Sequence, residues 1–324
     1  MDNSLLILTE AGEKIGFGHI SRCSAIHHFF KKQNVPIDLL LDWQGNQPCP
    51  YDFQLLGWRN EMDKLADYAG KFNKVLIDSY KTSLLDLKSI QKYFKSVIVL
   101  DDYKRLDFGV ALVINPNIYG DSIDYSCKSV GGRDYVILRE AFRNANEKAS
   151  IKDSISSILV TVGGSDYQNL LPFFAESLKA LPYQFNFLCA NDRYANELSE
   201  KFKQQDNFTF CGILSEFQMK NVMLQSDLAI SACGQSLHEL AYLGVPTMGV
   251  LIGNDQTLNC ESYFRNRFLI EKTESNFPEL AKVLRSGIEK ADKPTRFSSS
   301  ENGKKMIDGK GLERIFTLIS NESL

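Results

Sequence analysis

Two short segments carry the residue types that chemistry needs. The first is Gly16-Phe17-Gly18-His19-Ile20-Ser21-Arg22, where a double-glycine turn leads directly into a histidine. The second is Gly234-Gln235-Ser236 with Glu239 three residues on, followed by Gln256 and Asn259. At the start of a helix, a loop of small residues presents backbone N–H groups and the positive end of the helix dipole, a favourable seat for phosphate. The same positive end favours neutral imidazole, the form a general base requires, so His19 either acts as a base or merely caps its helix. Glu239 lies within reach of whatever the phosphates carry. Gln256 and Asn259 are neutral hydrogen-bonding groups of the kind that read sugar hydroxyls and amides. Gly163-Gly164-Ser165 adds a second loop where a backbone can approach a ligand closely.

Other chemistries fit poorly. Gly16-x-Gly18-x-x-Ser21 approaches the dinucleotide fingerprint, but Ser21 replaces the third glycine and the run stands several residues beyond the first strand. Asp42, after the second strand, is a weak stand-in for a ribose-binding acid. The four histidines are His19, His27, His28 and His238. His238-Glu239 opens like a zinc-protease helix, yet Tyr242 occupies the second ligand position, so no metal is expected. No GxSxG elbow or GxxxxGK[ST] loop is present. Asp101-Asp102 and Asp78-Ser79-Tyr80 end strands, where they can face substrate or cap turns.

These residues need a frame. Short apolar runs at 4–9, 37–41, 75–77, 97–100 and 110–114 alternate with helical patterns at 19–32, 61–69 and 84–94, and Tyr135–Leu138 is a further candidate strand. The alternation predicts a parallel sheet in a doubly wound α/β domain. The polar stretch 143–153 reads as a linker, after which the alternation restarts with strands at 157–162, 185–189, 208–210 and 228–232. Helices are expected at 170–180, 194–203, 215–224, 258–265, 278–288 and 312–319, with a polar segment at 291–302. The expected domains are 1–145, 155–300, and a C-terminal helix within 301–324 that packs back on the first domain. Several polar loops at one sheet edge point to a nucleotide-sugar site.

At 324 residues with 44% hydrophobic and 24% charged content, the chain can build two sizeable cores. A net charge of -3 gives no reason to expect nucleic acid as a partner. Seven cysteines without a CxxC pair fit a reducing compartment, and no run approaches the roughly 20 apolar residues that span a bilayer. The expected location is the cytoplasm.

The order of motifs resembles that of the UDP-2,4-diacetamido-2,4,6-trideoxy-β-L-altropyranose hydrolases of pseudaminic acid biosynthesis. The matching runs are Gly16 to Cys23, Ile77 to Tyr80, Leu100 to Asp102, Asn115-Pro116-Asn117 and Leu138-Arg139. They continue with Gly163 to Asp166, Ser226 to Ile230 and Gly234-Gln235-Ser236-x-x-Glu239. That family is similar to MurG glycosyltransferases, so the resemblance implies a GT-B-like fold of two Rossmann-like domains facing a central cleft. It also implies hydrolysis of a UDP-linked diacetamido-trideoxyhexose with inversion, without metal or cofactor, in the synthesis of a bacterial nonulosonate for surface polysaccharide. The alternative is a GT-B glycosyltransferase that passes the sugar from a UDP donor to a carbohydrate or lipid acceptor.

On the hydrolase reading, His19 is the base, with Gly18, Arg22, Tyr80 and Asp101 on the sugar side. Gly164, Ser165, Gly234, Gln235 and Ser236 hold the diphosphate, Glu239 the ribose, and Gln256 and Asn259 the sugar. The expected ligands are the UDP-sugar and UDP. Thr9-Glu10-Ala11 replaces the family's Arg-Ala-Asp run, and Asn254-Asp255-Gln256 its Ala-Asn-Gln, both changes expected in substrate-facing loops.

Overall fold

The computed structural model describes residues 4–164, 166, 168–275 and 279–321. The chain divides into two units, one formed by residues up to Arg139 together with those from Gly309 on, the other by Glu140–Asp308.

In the first unit the elements are β1 (Leu5–Ala11), α1 (Gly18–Lys32), β2 (Ile37–Trp43), β3 (Gln54–Leu55), α2 (Ala66–Ala69), β4 (Lys74–Asp78), α3 (Leu84–Ile90), β5 (Ser96–Leu100), β6 (Leu112–Asn115) and β7 (Ser129–Gly131). They build a parallel sheet in the order β3-β2-β1-β4-β5-β6-β7. Strands β1, β4, β5 and β6 are buried along their whole length, as a sheet covered on both faces requires. The order reverses at β1/β4, and there Thr9 lies beside Asp78. A reversal of this kind opens a crevice at the carboxyl ends of the strands.

The second unit contains α4 (Glu140–Arg143), β8 (Ser157–Thr161), α5 (Leu170–Leu178), β9 (Gln184–Leu188), α6 (Asp192–Lys201), β10 (Phe208–Cys211), α7 (Glu216–Gln225), β11 (Leu228–Ala232), α8 (Gln235–Leu243), β12 (Thr247–Leu251), α9 (Thr257–Arg265), β13 (Leu269–Glu274), α10 (Leu280–Lys290) and α11 (Lys293–Met306). Its parallel sheet runs β10-β9-β8-β11-β12-β13, with the reversal at β8/β11. The chain ends in α12 (Gly311–Asn321). Leu312, Ile315 and Ile319 of that helix join the core of the first unit, and Phe316 stands edge-on to Phe29 and Phe30 of α1.

Several elements differ from the sequence expectation. The predicted helix 61–69 is a 3₁₀ turn at Met62–Leu65 followed by the single turn α2. Arg133–Tyr135 is a 3₁₀ turn instead of the start of a strand, and Val136–Leu138 are buried outside any strand. The polar segment 291–302 is mostly α11. Asp292 caps it by accepting from the Thr295 N–H, and Pro294 fits the first turn, where no amide is needed. Its buried face is Arg296, Ser299, Ser300, Gly303 and Met306, and a Cβ on Gly303 would lie 2.7 Å from Phe268 and 2.8 Å from the Ala241 carbonyl.

The polar stretch 143–153 also runs against the second unit instead of hanging free. Ala149 N–H bonds the Leu243 carbonyl, and Arg296 donates to the carbonyls of Lys152 and Asp153. Glu10 and Ala11 extend β1 beyond the expected end at Thr9, and all three are fully buried, which corrects the placing of this run in a substrate-facing loop. No helix among the described residues is long and apolar enough to cross a membrane.

Candidate active site

His19 enters the fold in the first turn of α1, at the carboxyl edge of the sheet, and is 5% exposed. Its Nδ1 lies 2.8 Å from Asp78 Oδ1, at the last residue of β4. A carboxylate at that distance accepts the Nδ1–H and leaves Nε2 as the basic nitrogen. Asp78 is itself loaded on both oxygens. Arg22, one helical turn beyond His19, donates from Nε to Oδ2 at 2.7 Å and from Nη2 to Oδ1 at 2.7 Å. The far side of the same guanidinium reaches Asp102, Nη1 to Oδ1 at 2.8 Å and Nη2 to Oδ2 at 3.1 Å.

One arginine therefore lies between two carboxylates. Burial works to raise both carboxyl pKa values, but Arg22 outweighs it at each, and His19 adds to the effect at Asp78. Both carboxyl pKa values are lowered from the ordinary value, that of Asp78 well below the usual carboxylate range. Since the buried cluster holds two negative charges and one positive, a proton arriving on His19 would neutralise it. Tyr80 completes the wall. Its ring stands edge-on to His19 with centroids 4.4 Å apart, its hydroxyl donates to Asp102, and its backbone N–H is held by the buried Glu10 carboxylate at 3.1 Å.

This placement alters several expected roles. Arg22 is buried with its guanidinium occupied by Asp78 and Asp102, so its partners are in the protein instead of the sugar. Asp101 accepts from Tyr125 Oη at 2.7 Å and from the N–H groups of Tyr103 and Lys104, so it holds the turn after β5. Burial raises its pKa, as expected of a carboxyl kept from solvent. Its neighbour Asp102, also bonded by Asn117 Nδ2 at 2.7 Å, is the acid that joins the cluster. Gly18 is exposed at the helix start. Asp78 and Asp102, noted in the sequence only as strand-end acids that can face substrate or cap turns, are the partners of His19 and Arg22, and Glu10, read there as part of a loop, holds the Tyr80 N–H.

In the second unit, β11 runs into the Cys233-Gly234 turn and α8 begins at Gln235, without a side-chain cap. Gly234, Gln235 and Ser236 are partly exposed there, whereas Glu239 is fully buried. His238 is a core residue whose ring bonds Tyr263 Oη at 2.7 Å. Gln256 and Asn259 converge on the same turn: Gln256 Oε1 accepts from Cys233 N–H at 3.1 Å, and Asn259 Nδ2 donates to Cys233 O at 2.8 Å. Beyond β8, Gly163 takes a left-handed φ of +87° and Gly164 is exposed, while Ser165 lies outside the described residues. Each unit thus gathers its candidate residues at the carboxyl edge of its own sheet. Among the described residues, no group of three His, Cys, Asp or Glu side chains could hold a metal ion.

No family model matches the chain. It is 23% identical to the spore coat polysaccharide biosynthesis protein SpsG of Bacillus subtilis, over 97% of each chain. It is 23% identical to the pseudaminic acid cytidylyltransferase and UDP-2,4-diacetamido-2,4,6-trideoxy-beta-L-altropyranose hydrolase of Helicobacter pylori, over 76% of this chain and 44% of that protein. In structure, it matches Acinetobacter baumannii MurG with a TM-score of 0.68 at 14% identity, covering 98% and 100% of the two chains. The chain has the GT-B fold. The UDP complex of Staphylococcus aureus MnaA is a further match, with a TM-score of 0.68 at 10% identity and coverage of 98% and 96%.

Proposed function

We propose that this chain is a nucleotide-sugar enzyme that hydrolyses a UDP-linked diacetamido-trideoxyhexose, releasing UDP and the free sugar. The observation that carries the reading is the His19–Asp78 pair, with Nδ1 held at 2.8 Å in a buried cluster that lacks one positive charge. His19 Nε2 takes a proton from water, the water oxygen bonds the anomeric carbon, and the bond from that carbon to the phosphate oxygen breaks. UDP leaves with the electron pair and the sugar is inverted. The cluster favours the imidazolium that forms, while backbone amides at the α8 N-terminus meet the charge developing on the diphosphate. Gly234, Gln235, Ser236 and Gly164 are the proposed diphosphate contacts and Glu239 the proposed ribose contact. The relatives' names, one from spore coat polysaccharide synthesis and one a diacetamido-sugar hydrolase, support the substrate class.

The match to the kitacinnamycin glycotransferase, with a TM-score of 0.67, favours a second reading. The same base would then deprotonate an acceptor hydroxyl in place of water. The deciding experiment follows UDP release from a panel of UDP-diacetamido sugars with and without candidate acceptors. Hydrolysis predicts release in water alone, and strict dependence on an acceptor would transfer the assignment to the glycosyltransferase.

A further inference from the structure

Gln256 and Asn259, three residues apart at the start of α9, meet a single residue of the turn that follows β11. Gln256 accepts the Cys233 N–H at 3.1 Å and Asn259 donates to the Cys233 carbonyl at 2.8 Å, so this residue is held from both sides. Cys233 immediately precedes Gly234, the N-cap of α8. Gly234 has no side chain with which to cap, and a Cβ there would stand 3.7 Å from Gln256 Nε2. The direction of the first α8 amides therefore depends on a turn whose shape is fixed from outside. Asn259 is 3% exposed, and its Oδ1, buried beside the turn, has no hydrogen-bond partner. With its amide donating to the main chain, this side chain is engaged by the turn itself.

We infer that Gln256 and Asn259 are positioning residues that clamp the Cys233 peptide and so aim the α8 amides at the diphosphate, with Asn259 acting through the turn and not through the sugar. The inference rests on the UDP-sugar reading above for its ligand, but the clamp itself can be read without one. Its signature is a loss common to every diphosphate ligand. A residue that reads sugar affects only the sugar-bearing ones.

The experiment compares wild type with Asn259→Ala, Gln256→Leu and Gln256→Glu, measuring amide hydrogen exchange across 232–237 in ligand-free protein and the Kd of UDP and of UDP-N-acetylglucosamine. Asn259→Ala and Gln256→Leu should speed local exchange and raise both Kd values by a common factor of about five, the scale of one hydrogen bond. Gln256→Glu, which keeps the acceptor for the Cys233 N–H, should retain the wild-type exchange. Unchanged exchange, or a loss confined to UDP-N-acetylglucosamine in Asn259→Ala, would overturn the clamp. A wild type that binds neither nucleotide contradicts the functional reading instead, and the exchange data then still decide whether the clamp exists.

Discussion

His19 Nδ1 stands 2.8 Å from Asp78 Oδ1, and Asp78 also receives two hydrogen bonds from Arg22, each at 2.7 Å. The acid that orients the histidine is thus held ionised by a neighbour that also joins Asp78 to Asp102. Replacing Asp78 by Asn should keep the shape but remove the charge that favours the imidazolium. We expect kcat to fall about 10²–10⁴-fold with a much smaller change in KM, measured by UDP release.

Arg22 lies between two buried carboxylates, so removing it strands two like charges. Arg22→Met should cost about 3–5 kcal/mol in urea unfolding, the range for breaking a buried pair by removing one partner. Adding Asp102→Asn to Arg22→Met should recover part of that loss. A double variant less stable than Arg22→Met would contradict the charge argument.

His27 gives stability a pH dependence in the mildly acidic range. Burial, with help from His28 and Lys31, lowers its pKa from 6.5 to about 4. Between those values the unfolded chain takes up a proton that the folded chain refuses, so stability falls as pH drops from about 7 to 4. After allowance for solvent screening at the edge of this ring, the loss should be of the order of 1–2 kcal/mol. His27→Leu should flatten the slope of unfolding free energy against pH across this window.

The closeness of α11 to Phe268 and the Ala241 carbonyl makes Gly303 a packing residue. Gly303→Ala should destabilise the chain by about 1–3 kcal/mol despite the higher helix propensity of alanine, as calorimetry would show. A gain in stability would mean that the helix can shift outward at little cost.

The alternating strands and helices were legible because buried parallel strands read as apolar runs, and the central strands of both sheets lie where those runs stand, whereas β3, β7 and β13 are short or partly exposed and carry no such run. Helix α11 was not legible, because four of its five buried residues, Arg296, Ser299, Ser300 and Gly303, are polar or small, so no apolar stripe marks its inward face. The helix-start positions of His19 and of the Gly234 turn were legible from local spacing, since a small-residue loop leading into a helix is a feature of a few consecutive residues. The Arg22–Asp78–Asp102 cluster joins residues 56 and 80 positions apart, so no local pattern marks it. Without that cluster, Arg22 and Asp101 looked like sugar contacts, although the first joins two acids and the second holds a turn.

The central claim is that His19 performs proton transfer and does not hold the nucleotide. Its most direct test is to measure, on the same preparation of His19→Ala, the rate of UDP release from a UDP-diacetamido sugar and the Kd of UDP. The account predicts turnover reduced by about 10²–10⁴-fold with UDP affinity within a factor of two of wild type. Full turnover in His19→Ala would contradict it.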